Sequence, residues 1–205
     1  DATDDGAANT AVGRSALSAN CGDGNTAVGK DALQPTTGAS NTAVGMAAGV
    51  GITSGDNNLV LGKDAGRAAS PSGNITTADN IVCIGDDNIA TIYCVQGTIN
   101  TSDKRDKTNI TDFNGGLDWI NKMNPVTYQW DRRSWYVDSD LPEDILAAKP
   151  DGSLTKPKVE VGLIAQDVLK IEKEHGFGSD NDNSLLVDLT EDETRYGINY
   201  PNIVP

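Results

Sequence analysis

The sequence has little that would let it cross a membrane, grip a polyanion or be pinned by disulfides. Among its 205 residues no apolar run approaches the roughly 20 that a membrane helix needs, and no signal peptide opens the chain. Basic residues are scarce: sixteen Lys and Arg face thirty Asp and Glu, a formal net charge of −14. Phosphate backbones and anionic lipid repel so acidic a chain, which excludes nucleic acid and membrane surfaces as partners. The three cysteines, Cys21, Cys83 and Cys94, are an odd number in no metal-binding spacing. They exclude a disulfide scaffold or a zinc module and read as small apolar fillers; neither metal nor cofactor is expected. The single histidine, His175, follows Glu172, Lys173 and Glu174 at a predicted helix end, a surface position rather than part of a catalytic relay. The abrupt start at Asp1 reads as that of a piece of a longer protein.

Aromatics are nearly missing from one half only. Residues 1–101 hold 15 of the 22 Gly and one aromatic, Tyr93, with ten Asp against four bases for a charge of −6. Residues 102–205 hold all three Trp, both Phe, four Tyr and every Glu, with twenty acids against twelve bases for −8. So complete a change at one position predicts two folding units, 1–101 and 102–205.

The first unit is a repeat. Asn9-Thr10-Ala11-Val12-Gly13 returns as Asn25-Thr26-Ala27-Val28-Gly29 and as Asn41-Thr42-Ala43-Val44-Gly45. Looser copies end at Gly62 and Gly85, giving steps of 16, 16, 17 and 23 residues. A short small-residue strand followed by Gly every sixteen residues predicts a winding coil whose turns need positive φ. Ser15-Ala16-Leu17 and Asp31-Ala32-Leu33 are expected to add a second strand per turn. Residues 67–79 break the phase and read as a loop, and the alternation Ile89, Thr91, Tyr93, Val95 predicts a last strand. A core of Ala, Thr and Val, at about 1–2 kcal/mol per side chain, is thin, so the coil is expected to associate, most economically as a trimer. The repeats, over roughly residues 6–66, resemble the head repeats of trimeric autotransporter adhesins, which also occur in phage fibres. That resemblance implies a left-handed parallel β-roll.

The second unit opens Thr101-Ser102-Asp103-Lys104-Arg105-Asp106-Lys107. A hydroxyl and an amine can form a nucleophile–base pair. Five positions apart they diverge by about 140° on a helix and face opposite ways on a strand, so only an intervening turn brings Ser102 and Lys107 together. An amine base at neutral pH also needs roughly 4–5 kcal/mol of desolvation or like-charge repulsion to shed its proton. Four segments occur in a recognisable order: SDKRDKTNI, the helix-like Leu117–Met123, Asn124-Pro125-Val126-Thr127-Tyr128-Gln129-Trp130, and Val161-Gly162-Leu163-Ile164-Ala165-Gln166-Asp167-Val168. With the closing Tyr196-Gly197-Ile198-Asn199-Tyr200, they resemble the self-cleaving intramolecular chaperone domain at the C-termini of phage tail spikes and endosialidases. That resemblance implies Ser102 as nucleophile, Lys107 as general base and Thr101–Ser102 as the bond cut. Gln166 matches a characteristic glutamine of that family, with no role assigned. It implies further that the domain trimerises, folds the upstream fibre and cuts itself off. Relatives usually run on into a C-terminal coiled-coil helix, where this sequence stops at Pro205.

Local patterns agree with an α+β unit. Leu117, Ile120 and Met123 predict one apolar helix face, ended at Asn124-Pro125. Val126, Tyr128 and Trp130 alternate as a strand; Ile164, Val168 and Ile171 predict a helix stopped by Gly176. Leu185, Val187 and Leu189 with Tyr196, Ile198 and Tyr200 predict a hairpin across an acidic turn. Residues 131–158, with three prolines and few apolar positions, read as a surface excursion. Asp180, Asp182, Ser184, Asp188 and Glu191 match ligand positions of a calcium-binding loop, but Leu185 stands where that loop needs Gly, which favours the hairpin. The expectation is thus a mixed architecture, a trimeric left-handed parallel β-roll followed by an α+β chaperone and autopeptidase. It belongs to a virion tail fibre or spike that binds a host-surface receptor or glycan, with the chaperone piece released in the host cytoplasm. The alternative is a non-enzymatic adhesin-like trimer.

Overall fold

The computed structural model describes residues 6–92, 102–113, 115–137 and 141–203. The first part is a parallel β-solenoid. Strands β1 (Thr10–Val12), β2 (Thr26–Val28), β3 (Thr42–Val44), β4 (Leu59–Leu61) and β5 (Val82–Ile84) stack in chain order as one sheet. Register is strict: Ala11, Ala27, Ala43, Val60 and Cys83 lie opposite one another. From Ala27 on this row is buried, and Leu17, Leu33, Ile52 and Ile75 fill the remaining interior. Steps of sixteen and seventeen residues therefore place like residue on like residue, and the 23-residue step is absorbed by the loop before β5.

The asparagine that opens each repeat is a structural element. Asn25, Asn41 and Asn58 are buried, and each side-chain oxygen accepts from the backbone N–H of the next copy. Asn9 Oδ1 takes Asn25 N at 2.7 Å, Asn25 Oδ1 takes Asn41 N at 2.9 Å, and Asn41 Oδ1 takes Asn58 N at 3.0 Å. Asn58 Oδ1 ends the ladder on Ile81 N at 2.9 Å. The amide nitrogens donate inward, Asn25 to the Gly38 carbonyl and Asn41 to that of Gly55. Buried carbonyls that a thin apolar core would orphan are thereby satisfied. The closing glycines are needed twice over. Gly13, Gly29 and Gly45 have φ of +130°, +141° and +140°, and a Cβ on Gly13 or Gly45 would sit 2.5 Å from the carbonyl oxygen of the next glycine.

The expected second strand per turn is not there. Ser15, Leu17, Asp31 and Leu33 lie in the left-handed region, at φ of 59°, 47°, 60° and 48°. The chain turns there while still bonding rung to rung, Leu17 N to Ala32 O at 3.1 Å and Leu33 N to Ala48 O at 3.0 Å. A left-handed leucine costs about 1–2 kcal/mol, which full burial of its side chain offsets at about 1.5–3 kcal/mol. Hydrophobic spacing reported burial correctly and conformation wrongly. Ile89–Ile92 carry no strand either; Tyr93, Cys94 and Val95 lie outside the described residues.

The second part contains α1 (Gly116–Lys122), β6 (Val126–Tyr128), α2 (Pro142–Ala147), β7 (Glu160–Gly162), α3 (Ala165–Glu174), β8 (Val187–Leu189) and β9 (Tyr196–Ile198). β6 pairs antiparallel with β7, and β8 with β9. Gly176, at φ +85°, follows α3 as expected. Trp119, Val168, Ile171, Leu186 and Val187 form the core, with Phe113 edge-on to Trp119. Glu172 is wholly buried and accepts Leu186 N at 2.6 Å and Ser184 Oγ at 2.8 Å, fixing α3 to the start of β8. Two expectations are corrected. α1 turns Trp119 inward, 3% exposed, and leaves Leu117 77% exposed, because the larger ring takes the core. The 131–158 stretch is not plain loop: it holds a 3-10 turn at Arg133–Tyr136 and α2, whose Ile145 is buried.

The two parts meet along a polar seam. The Asp87 carboxylate, its side chain 1% exposed, is clamped by Arg195 (Nη1 3.0 Å, Nη2 2.6 Å) and by Arg132 at 3.0 Å, and also accepts from Ser134 Oγ. Arg195 donates further to Ala68 O at 3.0 Å. At the tip of the β8–β9 hairpin, Asp192 accepts Asn74 N at 2.5 Å. Glu191 accepts Thr76 N, Thr76 Oγ1, Thr77 N and Thr77 Oγ1 at 2.6–2.9 Å. Burial pushes the Glu191 carboxyl upward, but these donors outweigh it and hold it at about 2.

Two outcomes follow from this packing. Asn41→Ala removes the acceptor of both Asn58 nitrogens and the donor to Gly55 O, and should cost about 2–4 kcal/mol, read as a lower urea midpoint at unchanged slope. Because the folded Glu191 is depressed below its ordinary 4.5, its contribution is complete above that pH and disappears as pH falls towards about 2. The stability difference between the parent and Glu191→Ala should therefore shrink over that window, as measured by urea unfolding at a series of pH values.

Candidate functional site

Lys107 and Ser102 are brought together by a single turn. Asp103 caps a 3-10 turn, Lys104–Asp106, its side chain accepting Arg105 N at 2.9 Å. Lys107 follows as the C-terminal cap with its N–H on Lys104 O at 3.3 Å. The turn folds the five-residue interval back on itself, and Lys107 Nζ lies 2.6 Å from Ser102 Oγ. The amine donates to the hydroxyl; a neutral amine in the same place would accept from it.

The charges around the pair are sorted by Arg105. Its guanidinium takes both oxygens of Asp103, at 3.1 Å from Nε to each and 2.6 Å from Nη2. That hydrogen bond holds the Asp103 carboxyl below its ordinary value and raises the guanidinium in return. Among the described residues Lys107 makes no ion pair, so its one polar side-chain partner is Ser102. Both residues are exposed, and water reaches them in the single chain. Thr101, on the other side of the bond in question, lies outside the described residues.

Other residues singled out in the sequence are elsewhere. Gln166 is exposed in the first turn of α3 and shares no hydrogen bond with Ser102 or Lys107. His175 caps α3, its Nδ1 2.8 Å from Ile171 O and its ring 5.1 Å from Trp119. The carboxylates with calcium-loop spacing do not converge: Asp180 caps a 3-10 turn at Asn181–Asn183, while Glu191 reaches the solenoid. Among the described residues no group of His, Cys, Asp and Glu is placed to hold a metal, and no helix is long and apolar enough to cross a membrane. The sequence shows Arg105 as a charge that would help Lys107 shed its proton and Asp103 as one that would oppose it, but not the cap that Asp103 makes or its pairing with Arg105. An Asp two residues before an amide it can cap was the available signal.

Residues 102–177 match a peptidase family described as chaperone of endosialidase. The match begins at Ser102 and ends in the loop after α3, before the β8–β9 hairpin. No curated protein and no solved structure matches the chain. The segment that follows the solenoid, from Ser102 to Phe177, is similar to the endosialidase-type chaperone family.

Proposed function

We propose that the chain is the C-terminal part of a trimeric phage tail fibre or spike, whose segment 102–205 helps the solenoid assemble and then cuts the Thr101–Ser102 bond. The observation that carries this reading is the 2.6 Å contact between Lys107 Nζ and Ser102 Oγ at the first residue of the peptidase-family match. In the proposed reaction, neutral Lys107 takes the Oγ proton, and Oγ bonds to the Thr101 carbonyl carbon. The C–N bond then breaks, the departing Ser102 nitrogen takes back a proton from Lys107, and an ester remains. Water hydrolyses that ester, leaving a Thr101 carboxylate and restoring the Ser102 hydroxyl. Cutting lets the chaperone piece leave in the host cytoplasm, so the assembled fibre of the virion is locked kinetically.

Trimerisation is supported by an apolar row on the outside of the solenoid. Val12, Val28, Val44, Leu61 and Ile84 are in register, and Val12, Val44 and Ile84 are 56%, 42% and 49% exposed. A second chain would cover this row, and association would also dry the exposed dyad, which ties cutting to assembly. Exposure of Ser102 and Lys107 in the single chain favours the rival reading, an uncut structural fibre that binds a host receptor or glycan.

Mass spectrometry of the purified chain separates the two. Autoproteolysis predicts fragments of 101 and 104 residues, abolished by Ser102→Ala and slowed by at least about 100-fold by Lys107→Ala; one intact mass under all conditions overturns it. Val44→Lys should convert the trimer to monomer in sedimentation and slow cleavage in parallel. A wild-type chain that sediments as a monomer yet cleaves fully would overturn the link between assembly and cutting.

A further inference from the structure

One column of the solenoid, its threonines, hands its donors to the rung that follows. Thr37 N and Oγ1 donate to Thr53 O at 2.6 and 3.0 Å, and Thr53 N and Oγ1 donate to Thr76 O at 2.8 and 3.1 Å. Thr76 is the next in this column and finds no further threonine. Its N and Oγ1 donate instead to Glu191 Oε2 and Oε1, at 2.9 and 2.7 Å. The carboxylate, 115 residues away in sequence, occupies the place of the next rung's carbonyl. Thr77 N and Oγ1 converge on the same Oε1, and Asn74 N on Asp192. Asp192 is itself held by Thr190 Oγ1 at 2.7 Å and Thr194 N at 3.0 Å, so the tip is pre-shaped by its own hairpin.

We infer that the 190–195 tip is the client-recognition surface of the chaperone segment, and that its client is the open last rung of this chain's own solenoid, read as a threonine N–H and hydroxyl pair. This rests on the chaperone role proposed above and adds the residues that perform it. Glu191 alone would not fix which rung is held, because Thr37, Thr53 and Thr76 offer the same pair. Arg195 supplies the distinction. It grips Asp87 and the Ala68 carbonyl, whereas the acids at the equivalent places of earlier rungs, Asp31 and Asp64, pair with Lys30 and Lys63 of the solenoid itself. The tip thus offers one contact common to all rungs and one specific to the last. A rung formed against this surface has its donors satisfied before any later coil exists, which removes the main penalty on closing it.

The test uses the full-length chain carrying Ser102→Ala, so that the two parts stay joined, compared with added Glu191→Ala or Glu191→Gln. Refolding and unfolding rates and amide exchange at Thr76 and Thr77 are measured. Glu191→Ala should slow refolding about 10-fold, leave unfolding nearly unchanged and raise exchange at both amides by at least about 10-fold. Glu191→Gln keeps a carbonyl acceptor and should recover most of the refolding rate, including where the alanine variant fails to fold. A faster unfolding rate with normal refolding would make the contact a static cap and overturn the inference. Failure of glutamine to rescue would overturn the carbonyl-surrogate role. Self-cleavage is scored separately in the Ser102 chain, so loss of the protease reading and loss of this one are told apart.

Discussion

In this solenoid neighbouring rungs satisfy each other's backbone donors and acceptors, so a rung at the end of a column must find its partner elsewhere. Most of what distinguishes the sequence follows from that constraint. The buried asparagines offer an acceptor forward from each copy to the next, and the threonine column sends donors forward onto the next rung's carbonyl. Glycine is required where one rung's backbone presses on the next too closely for a Cβ. The constraint also fixes where help from outside is needed. Among the described residues the Thr76 rung has donors and no later threonine rung to take them, and that is where the hairpin tip and the arginine clamp arrive.

The interior shows why polar ladders carry so much of the specificity. A row of Ala11, Ala27, Ala43, Val60 and Cys83 buries little area per rung, and shape alone would barely resist a one-residue slip. An asparagine that must meet both a neighbour's N–H and an inner carbonyl resists it strongly, because a slip would orphan several buried groups at once. The same economy leaves valine, leucine and isoleucine in an outward row. On the proposed reading, thin inner packing and an apolar exterior are two sides of one design, in which a further chain would complete the core.

How much of this could be read beforehand depends on the range of the interaction. The five strands and their register were legible because identical residues recur at near-constant spacing, and β8 and β9 because alternation flanks an acidic turn. Leu17 and Leu33 were legible as buried but not as left-handed, since periodicity reports which side chains turn inward and not the φ that turns them. Leu117 failed for a different reason: a helix with two candidate faces is settled by competition, and Trp119 won. The meeting of Ser102 and Lys107 was legible up to the need for a turn. The cap that makes the turn, Asp103, went unread. The Glu191–Thr76 and Arg195–Asp87 contacts leave no local trace, because each joins residues more than a hundred positions apart.

The division between local and distant contacts bears on how a single-use cutter would be timed. Ser102 and Lys107 meet through six consecutive residues, so their contact forms as soon as that turn does. Were proximity sufficient, cutting would precede assembly and separate the chaperone segment from a client it had not yet folded. What the lone chain lacks is dryness, since Ser102 and Lys107 are both exposed to water. Desolvation, on the proposed reading, comes from other chains, which could pack in register only once the solenoid's outer row exists. On the proposed reading, order is kept by making the fast local event harmless and the slow collective event decisive. The proposed seam contact would enforce the same sequence, since the residues that hold the last rung could be released only after neighbouring chains held the solenoid from its side.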